Sequence, residues 1–400
     1  MLQLSKPRVV IVGAGFGGLT AAQNLSNPKL DVILIDKTNH HLFQPLLYQV
    51  ATAALSPGEI AAPIRATLRK HKNVQVIMGE VESIDLNKRI IKLNEGELYF
   101  DYLILSPGSR HSYFGKPEWE QFAPGLKSLD DALNIRERIL ISFEKAERVY
   151  HSKEAKKHLT FIIVGGGPTG VELAGAIAEI SRKTILPDFP LLRKEDIKIV
   201  IIEAHEKLLT SFPSILSDYT LKVLNKLGVN IIFNKRVISL NKDGVDIGNE
   251  FIESSNIIWA AGNEASPILK TLNTELDFSG RVLVENDLSV KGFQDVFVIG
   301  DAANLKDKNA DILPGVAPVA MQEAKYVANI INKKIEKENR KPFNYIDKGN
   351  LATIGIAKAV AYRNKVKLTG FSAWFMWTFI HIFFLISLVF GWRRRIPPEL

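Results

Sequence analysis

The chain has 400 residues, 46% of them hydrophobic and 24% charged, which is typical of a folded protein with two or three domains and excludes a disordered chain. It contains no cysteine, so disulfides, thiolate metal sites, iron–sulfur clusters and redox-active dithiols are excluded, and we expect no metal site. The formal net charge is +8, but residues 331–400 hold 13 Lys and Arg against 4 Asp and Glu, so the basic excess lies in the C-terminal segment and does not indicate a nucleic-acid partner.

The first predicted element is a β-α-β unit over residues 8–36. It consists of the strand "RVVIVGAG", a helix near "GLTAAQNL" and the strand "LDVILID", which ends in Asp36. The preceding residues, "MLQLSKPR", contain no apolar stretch before a cleavage site. We therefore expect no secretory signal and place the main body of the protein on the cytoplasmic side.

Residues 74–105 alternate apolar and polar positions, which predicts hairpins that finish on a strand returning to the first unit. A second β-α-β unit follows over residues 159–203, with "LTFIIVGGG", "GVELAGAIAEISRK" and "IKIVIIE" ending in Glu203. Within it, "TILPDFPLLRKED" predicts a surface loop. Two such units indicate two parallel α/β sheets.

Three later strands end in small turns. "LILSPGS" and "IIWAAGN" each place an apolar strand before a glycine-containing turn, which suits a crossing between domains near a ligand. "DVFVIGDAAN" predicts a buried strand that runs into Gly300 and Asp301. A carboxylate there would face a polar ligand at the carboxyl end of the sheet.

Both β-α-β units carry the pattern G-x-G-x-x-G between strand and helix. One such pattern is weak evidence, because a tight structural turn can share it, but two in the same context predict two dinucleotide sites. The first glycine permits the turn, the second lets the backbone approach a phosphate, and the third allows close helix–strand packing. The predicted glycines are Gly13, Gly15 and Gly18 in the first unit and Gly165, Gly167 and Gly170 in the second.

The acids that end the second strands, Asp36 and Glu203, are predicted to accept hydrogen bonds from adenosine ribose hydroxyls. An acid at Glu203 also repels a 2′-phosphate. The second site should therefore favour NADH over NADPH.

The order of these motifs resembles the two-dinucleotide-binding-domain flavoprotein superfamily. The resemblance implies an α/β fold with two Rossmann-like domains, in which the first turn and Asp301, near the ribitol, bind non-covalent FAD and the second turn binds NADH. We expect an FAD domain over 1–112 and 264–335, an NADH domain over 113–263, and a C-terminal membrane-anchoring region over 336–400.

Many members of that superfamily work through cysteines beside the flavin, which this chain lacks. Two stretches, "NHHLFQPLLYQVATAALSPGEIAAPIR" and "ILPGVAPVAMQEAKYVANI", resemble one branch, the type II NADH dehydrogenases. That resemblance implies a single-subunit NADH:quinone oxidoreductase of a respiratory chain, which transfers electrons to a membrane quinone without pumping protons. It leaves a homodimer open.

In that branch the second stretch begins a helix whose start faces the flavin pyrimidine edge and lines the quinone pocket, which places Ala317 at the flavin. Many members have Ala-Gln-x-Ala-x-Gln here, whereas this chain has Pro318 in place of the first glutamine. Only Gln322 is carried over as a quinone contact. The alternative is an ordinary helix start with a solvated glutamine.

Glu172 lies in the first turn of the second unit's helix, where the helix dipole favours an acid whatever its function. The resemblance places it in the nicotinamide and isoalloxazine site, where it would orient nicotinamide or pass protons. His40 and His41 fall in the stretch expected near the flavin. A histidine there could relay a proton to the quinone, the alternative being a structural histidine.

The apolar run "FSAWFMWTFIHIFFLISLVFGW", residues 371–392, predicts a helix about 33 Å long, enough to cross a bilayer of ~30 Å. Tryptophans lie near both ends, and basic residues flank it, including Arg393, Arg394 and Arg395. The run therefore predicts attachment to anionic lipid, either in the plane of the membrane or as a single pass, on the cytoplasmic face of the inner or cell membrane.

Two other functions remain open at this stage. The first is an NADH-dependent reductase of a small ferredoxin- or rubredoxin-type protein, which leaves the apolar run unexplained. The second is a non-catalytic flavoprotein that senses NADH. Steady NADH consumption with a quinone analogue separates an enzyme from a sensor.

Overall fold

The computed structural model describes residues 6–393, with side chains described through residue 385. The strands, in chain order, are β1 (Arg8–Val12), β2 (Asp31–Asp36), β3 (His40–Leu42), β4 (Ala61–Pro63), β5 (Val74–Met78), β6 (Val81–Asp85), β7 (Ile90–Leu93), β8 (Gly96–Tyr99), β9 (Tyr102–Leu105), β10 (Ser109–His111), β11 (Thr160–Val164), β12 (Lys198–Ile202), β13 (Val229–Ile232), β14 (Ser239–Asn241), β15 (Gly244–Asp246), β16 (Phe251–Glu253), β17 (Asn256–Trp259), β18 (Asn263–Ala265), β19 (Val282–Leu283), β20 (Ser289–Val290), β21 (Phe293–Val298), β22 (Ala303–Asn304), β23 (Asn350–Gly355), β24 (Lys358–Arg363) and β25 (Val366–Thr369). The helices are α1 (Phe16–Asn24), α2 (Leu47–Ala51), α3 (Pro57–Ile60), α4 (Ile64–Thr67), α5 (Leu129–Arg148), α6 (Lys153–His158), α7 (Pro168–Ile180), α8 (Ser214–Lys226), α9 (Ala317–Lys333) and α10 (Gly370–Arg393).

The first sheet has six strands in the order β20-β21-β9-β1-β2-β5. Every neighbouring pair is parallel except β20 with β21. Its central strands are continuous apolar runs because both faces are covered, one by α1 and α9 and the other by β6, β7 and β8. The predicted β-α-β unit over 8–36 and the strand returning to it are confirmed, whereas β5 is a parallel edge strand and not a hairpin arm.

The second sheet has four parallel strands in the order β13-β12-β11-β17. It confirms the second predicted unit, with α7 between β11 and β12. The stretch predicted as a surface loop after α7 is not wholly irregular. It contains helical turns at Ser181–Ile185, Leu186–Asp188 and Lys194–Asp196.

The chain crosses between the two sheets at one place, where β10 and β18 pair antiparallel. Each crossing strand follows a glycine with positive φ, Gly108 at 71° and Gly262 at 72°. These are the small turns that were expected within "LILSPGS" and "IIWAAGN". Glycine is needed at both positions, because an L side chain rarely adopts that backbone conformation.

The C-terminal segment forms a third unit, which the sequence analysis did not predict beyond its apolar helix. Strands β23, β24 and β25 make an antiparallel sheet, and α10 packs on it through Ala359, Ala361 and Ala373. The opposite side of the sheet rests on α7, where a Cβ at Gly175 would lie 1.8 Å from the carbonyl oxygen of Ile354. Sheet and helix therefore meet backbone to backbone.

The structure gives no support to the single-pass expectation for the tail. Across the part of the chain that the structure describes, no helix combines the length and apolarity that a membrane crossing needs. The side chains of the last part of the predicted run, 386–392, are outside the described residues, as are Arg394 and Arg395.

Candidate functional site

The first glycine turn lies at the carboxyl end of β1. Gly13 has a φ of +94°, and a Cβ there would lie 2.2 Å from the carbonyl oxygen of Ser106, which follows β9. A Cβ at Gly18 would lie 1.7 Å from the carbonyl oxygen of Gly13. At Gly15, in contrast, a Cβ would meet no described atom within 4 Å. Protein packing therefore requires the first and third glycines, whereas the second faces open space where a phosphate could approach.

The second glycine turn repeats this arrangement. Gly165 has a φ of +108°, and its Cβ would lie 2.9 Å from the backbone of Ala260 at the end of β17. A Cβ at Gly170 would lie 2.0 Å from the carbonyl oxygen of Gly165, while one at Gly167 would meet no described atom within 4 Å. The two turns thus form two matching phosphate cradles, each with tightly packed first and third glycines and an open second glycine.

Helices α1 and α7 begin at these open glycines, and no described side chain caps either N-terminus. The first backbone N–H groups of a helix have no partner within the helix. Together with the helix dipole, they favour an anion. Both helix starts are suited to a pyrophosphate.

The two strand-end acids brace their own turns. The Asp36 carboxylate accepts hydrogen bonds from the Ala14 N–H at 2.6 Å, from the Thr38 N–H at 2.7 Å and from the Thr38 hydroxyl at 2.8 Å. A carboxylate has about four lone-pair positions, so room remains for a ribose hydroxyl. Sequence reasoning had not predicted this bracing.

Glu203 is arranged in the same way. Its carboxylate accepts from the Gly166 N–H at 2.6 Å and from the His205 N–H at 2.9 Å, and it lies 2.6 Å from His205 Nδ1. One acceptor position is again left for a ribose hydroxyl.

Asp301 lies in the turn Gly300–Ala302, directly after β21. Since β1, β9 and β21 are parallel neighbours, this turn meets the first glycine turn at one edge of the sheet. The Ser109 hydroxyl donates to the Asp301 carboxylate at 2.5 Å, and Lys127 Nζ donates to the Ser109 oxygen at 2.6 Å. Ser109 and Lys127 were not predicted.

Glu323 holds the same turn from α9. It is buried and accepts a hydrogen bond from the Gly300 N–H at 2.6 Å. Burial raises the pKa of Glu323 to about 8, the charge of Asp301 acts in the same direction, and the Gly300 N–H opposes both. The sequence signal that could have indicated Glu323 is a single acid on the apolar face of α9.

Helix α9 begins at Ala317, within the stretch that was predicted to enter a helix, and no described side chain caps its start. The Gln322 amide does not face open solvent freely. It donates to the Ile346 carbonyl at 3.0 Å and accepts from the Ile346 N–H at 3.0 Å. These two bonds hold the backbone at Ile346 against α9.

Glu172, in α7, joins three parts of the molecule. Its carboxylate accepts a hydrogen bond from the Thr353 N–H of β23 at 3.3 Å, and the Thr353 hydroxyl lies 3.0 Å from the Tyr48 hydroxyl of α2. Burial raises the pKa of Glu172 to about 8, and the Thr353 N–H opposes the shift. Burial and the neighbouring Glu172 also raise the pKa of Tyr48. Tyr48 and Thr353 were not predicted from the sequence.

The stretch from His41 to Tyr48 connects the first glycine turn with Thr353, the residue that donates to Glu172. His41 is buried, its Nδ1 lies 2.8 Å from the Ala14 carbonyl oxygen, and its ring contacts Phe16 edge to face at 5.1 Å. Burial lowers the pKa of His41, which favours the neutral imidazole. This contact matches the structural alternative for His41, while His40 lies at 3.3 Å from the neighbouring Asn39 side chain.

Comparison with known proteins gives consistent matches. A family model described as pyridine nucleotide-disulphide oxidoreductase matches residues 7–324. The type II NADH:quinone oxidoreductase Ndh of Mycobacterium tuberculosis is 42% identical over 98% of this chain and 86% of its own length. An internal alternative NAD(P)H-ubiquinone oxidoreductase of Arabidopsis thaliana is 28% identical over 98% of this chain and 82% of its own length. The structure of NDH2 from Plasmodium falciparum in complex with NADH matches with a TM-score of 0.88 at 25% identity, covering 97% of this chain and 96% of that one.

Proposed function

Because the chain belongs to the type II NADH:quinone oxidoreductases, we propose that it uses FAD to oxidise NADH and passes the electrons to a membrane quinone. The observation that carries this function is the pair of matching glycine turns, each with an open second glycine, in a chain that has no cysteine to receive electrons. Two dinucleotides can be held side by side, and the electrons must leave the first one directly.

The described residues fit both groups. Gly13, Gly15, Gly18, Asp36 and Asp301 surround the edge of the first sheet and would hold FAD. The helix start at Ala317 would add a favourable dipole for negative charge on the flavin. Gly165, Gly167, Gly170 and Glu203 would hold NADH at the second sheet.

FAD, when bound, takes the hydride of NADH and gives two electrons to the quinone. Overall, NADH, one proton and quinone yield NAD⁺ and quinol, so each turnover consumes one proton. Glu172 can hold that proton near neutral pH, because burial raises its pKa to about 8. We assign Glu172 to orienting the nicotinamide and holding a proton beside it.

Gln322 is proposed as a quinone contact with one condition. Its amide is engaged by Ile346 through both of its polar atoms, so binding a quinone carbonyl would require one of those bonds to be exchanged. The boundaries of the FAD domain at 1–112 and 264–335 and of the NADH domain at 113–263 are proposed alongside, supported by the crossing at β10 and β18. A homodimer stays a prediction.

For the membrane contact we propose in-plane docking of α10 on the cytoplasmic face. Four phenylalanines spaced four residues apart, Phe371, Phe375, Phe379 and Phe383, are 61–66% exposed along one side of the helix. The opposite side buries Ala373 and Trp377 against the protein. A helix with one face in the protein and an apolar face outside is suited to lying at the lipid interface, with nearby lysines and arginines attracting anionic lipid.

The docking test replaces the four phenylalanines together by serine. Deleting the helix would be less clean, because it would also remove the buried Trp377. Each phenylalanine contributes up to about 1.5–3 kcal/mol when fully buried, so the variant should leave the membrane fraction. It should still reduce a water-soluble acceptor and lose rate with a quinone held in vesicles. Phe278→Ser, which changes a fully exposed phenylalanine elsewhere in the chain, is the control. Docking by α10 is refuted by a variant that still pellets with membranes.

The activity test uses the purified holoprotein. It should be yellow with releasable FAD, its flavin should bleach with NADH, and it should consume NADH steadily with a soluble quinone analogue. Flavin that bleaches without steady turnover would indicate a sensor. Turnover only with a small redox protein would indicate the reductase alternative.

A further inference from the structure

A line of three polar side chains leads away from the proposed flavin site. Asp301 accepts from the Ser109 hydroxyl at 2.5 Å, and Ser109 accepts from Lys127 Nζ at 2.6 Å. The ammonium and the carboxylate are themselves 3.9 Å apart. Ser109 therefore forms a hydrogen-bonded bridge between Lys127 and Asp301, the acid that is proposed to hold the flavin ribitol.

Lys127 is itself fixed in place by two other segments. Its backbone N–H donates to the Asp131 carboxylate at 2.9 Å, at the start of α5, and its carbonyl accepts from the Gln44 amide at 3.4 Å. The lysine thus stands where α5, the crossing strand β10, the stretch after β3 and the Gly300–Ala302 turn come together. The backbone of Lys127 is therefore held by α5 and the stretch after β3, while its ammonium contacts Ser109 and Asp301.

The surroundings of the ammonium differ from those of a surface lysine. The Lys127 side chain is 21% exposed and that of Asp301 is 29% exposed. Burial lowers the pKa of Lys127, and the charge of Asp301 opposes that change. Charges in such a site are screened less by solvent, so they act more strongly on a neighbouring group.

We propose that Lys127 is a positioning residue of the flavin site, which holds Asp301 through Ser109 and makes the reduction potential of the bound FAD more positive. This rests on the proposed placement of FAD at Asp301. A flavin gains negative charge when it is reduced. A fixed cation nearby favours the reduced state, whereas an uncompensated Asp301 carboxylate disfavours it.

The test compares Lys127→Met with Lys127→Arg and the parent, all as holoproteins. Methionine keeps much of the length and removes the charge, so the potential measured by redox titration of the flavin absorbance should become more negative. The equilibrium constant for flavin reduction should fall about tenfold, which is about 30 mV for a two-electron couple. Arginine should restore most of the potential. Ser109→Ala should give a shift in the same direction by breaking the link.

The matched control is Lys157→Met. Lys157 pairs with Asp243, and its side chain is 25% exposed, close to the exposure of Lys127, but it lies beside the second sheet. Its removal should leave the flavin potential unchanged.

The proposal is overturned if Lys127→Met retains FAD with the parental potential, or if the arginine and methionine variants shift it equally. A variant that loses FAD is titrated after reconstitution with excess FAD, and a parental potential then assigns Lys127 to packing alone. Failure of the proposed function would look different, since the parent itself would then show no FAD or no quinone reduction.

Discussion

Glu172→Gln should make the folded protein more stable at neutral pH and should slow its reaction with NADH. Glutamine has the shape of the protonated acid and can still accept the hydrogen bond from the Thr353 N–H. In the folded protein, burial raises the pKa of Glu172 from 4.5 to about 8. In the unfolded chain the same group ionises near its ordinary pKa.

The sign and size of the change in folding stability follow from the difference between the folded and unfolded pKa values of Glu172. A group with a raised folded pKa contributes stability that is fully present below pH 4.5 and is lost as the pH rises through about 8. The loss is about 1.4 kcal/mol per pH unit within that window. At pH 7 it amounts to as much as about 3 kcal/mol, which the glutamine variant does not lose.

Thermal unfolding of the FAD-loaded parent and variant, measured from pH 5 to pH 8, tests this reasoning. The curves should nearly coincide at pH 5, and the variant should unfold a few degrees higher at pH 8. Glu144→Gln, at an exposed position on α5, should show no such divergence. A variant that is less stable than the parent at pH 7 would mean that Glu172 is ionised in the fold and that the reasoning is wrong.

The kinetic effect is measured by stopped flow on the same protein. The variant should retain FAD but react more slowly with NADH, and the parental rate should fall as the pH rises through about 8, where Glu172 loses its proton. Unchanged rates in both half-reactions would give Glu172 a structural role only.

Three further changes test other parts of the structure. Glu203→Ala should reduce the preference for NADH over NADPH, measured as the ratio of the two kcat/KM values, and an unchanged ratio would show that another residue sets it. Gly175→Val should destabilise the protein by more than about 2 kcal/mol in denaturant unfolding, because a Cβ would lie 1.8 Å from the Ile354 carbonyl oxygen. Asp287→Asn should cost about 2 kcal/mol at pH 7, because hydrogen bonds and two cations outweigh the effect of burial, which raises the pKa of Asp287, and hold that pKa at about 2. That contribution is present above pH 3.8 and is lost as the pH falls through about 2, so the acid unfolding curves of parent and variant should converge there.

Local patterns were enough to predict the two cradles. Each glycine turn is specified by residues within one strand, one turn and one helix. Asp36 is the last residue of β2, and Glu203 directly follows β12. The contacts that the sequence did not predict join distant segments, as Ser109 joins Asp301 and Tyr48 joins Thr353. Nothing in the spacing of such residues indicates that they meet.

The C-terminal unit shows a different limit. The charge and apolarity of the tail drew attention to α10, whereas the strands from residue 350 to 369 alternate too weakly to stand out. The position of their sheet depends on its contact with α7. There Gly175 leaves room for the backbone of β23, and side-chain oxygens of Glu172 and Glu179 accept hydrogen bonds from the backbone N–H groups of Thr353 and Ile356. These residues of α7 lie far from the three strands in the sequence.

The order of strands in the first sheet has a consequence for how the protein is made. Strand β9 lies between β1 and β21, so its second neighbour leaves the ribosome only after all of residues 113–263. The second sheet is continuous in the chain and can form during that interval, because domains generally fold as units during synthesis. The first sheet closes only when β21 and α9 arrive, bringing Asp301 and Glu323. If FAD binds at the proposed site beside Asp301, its capture is therefore expected among the last steps in the assembly of the newly made chain.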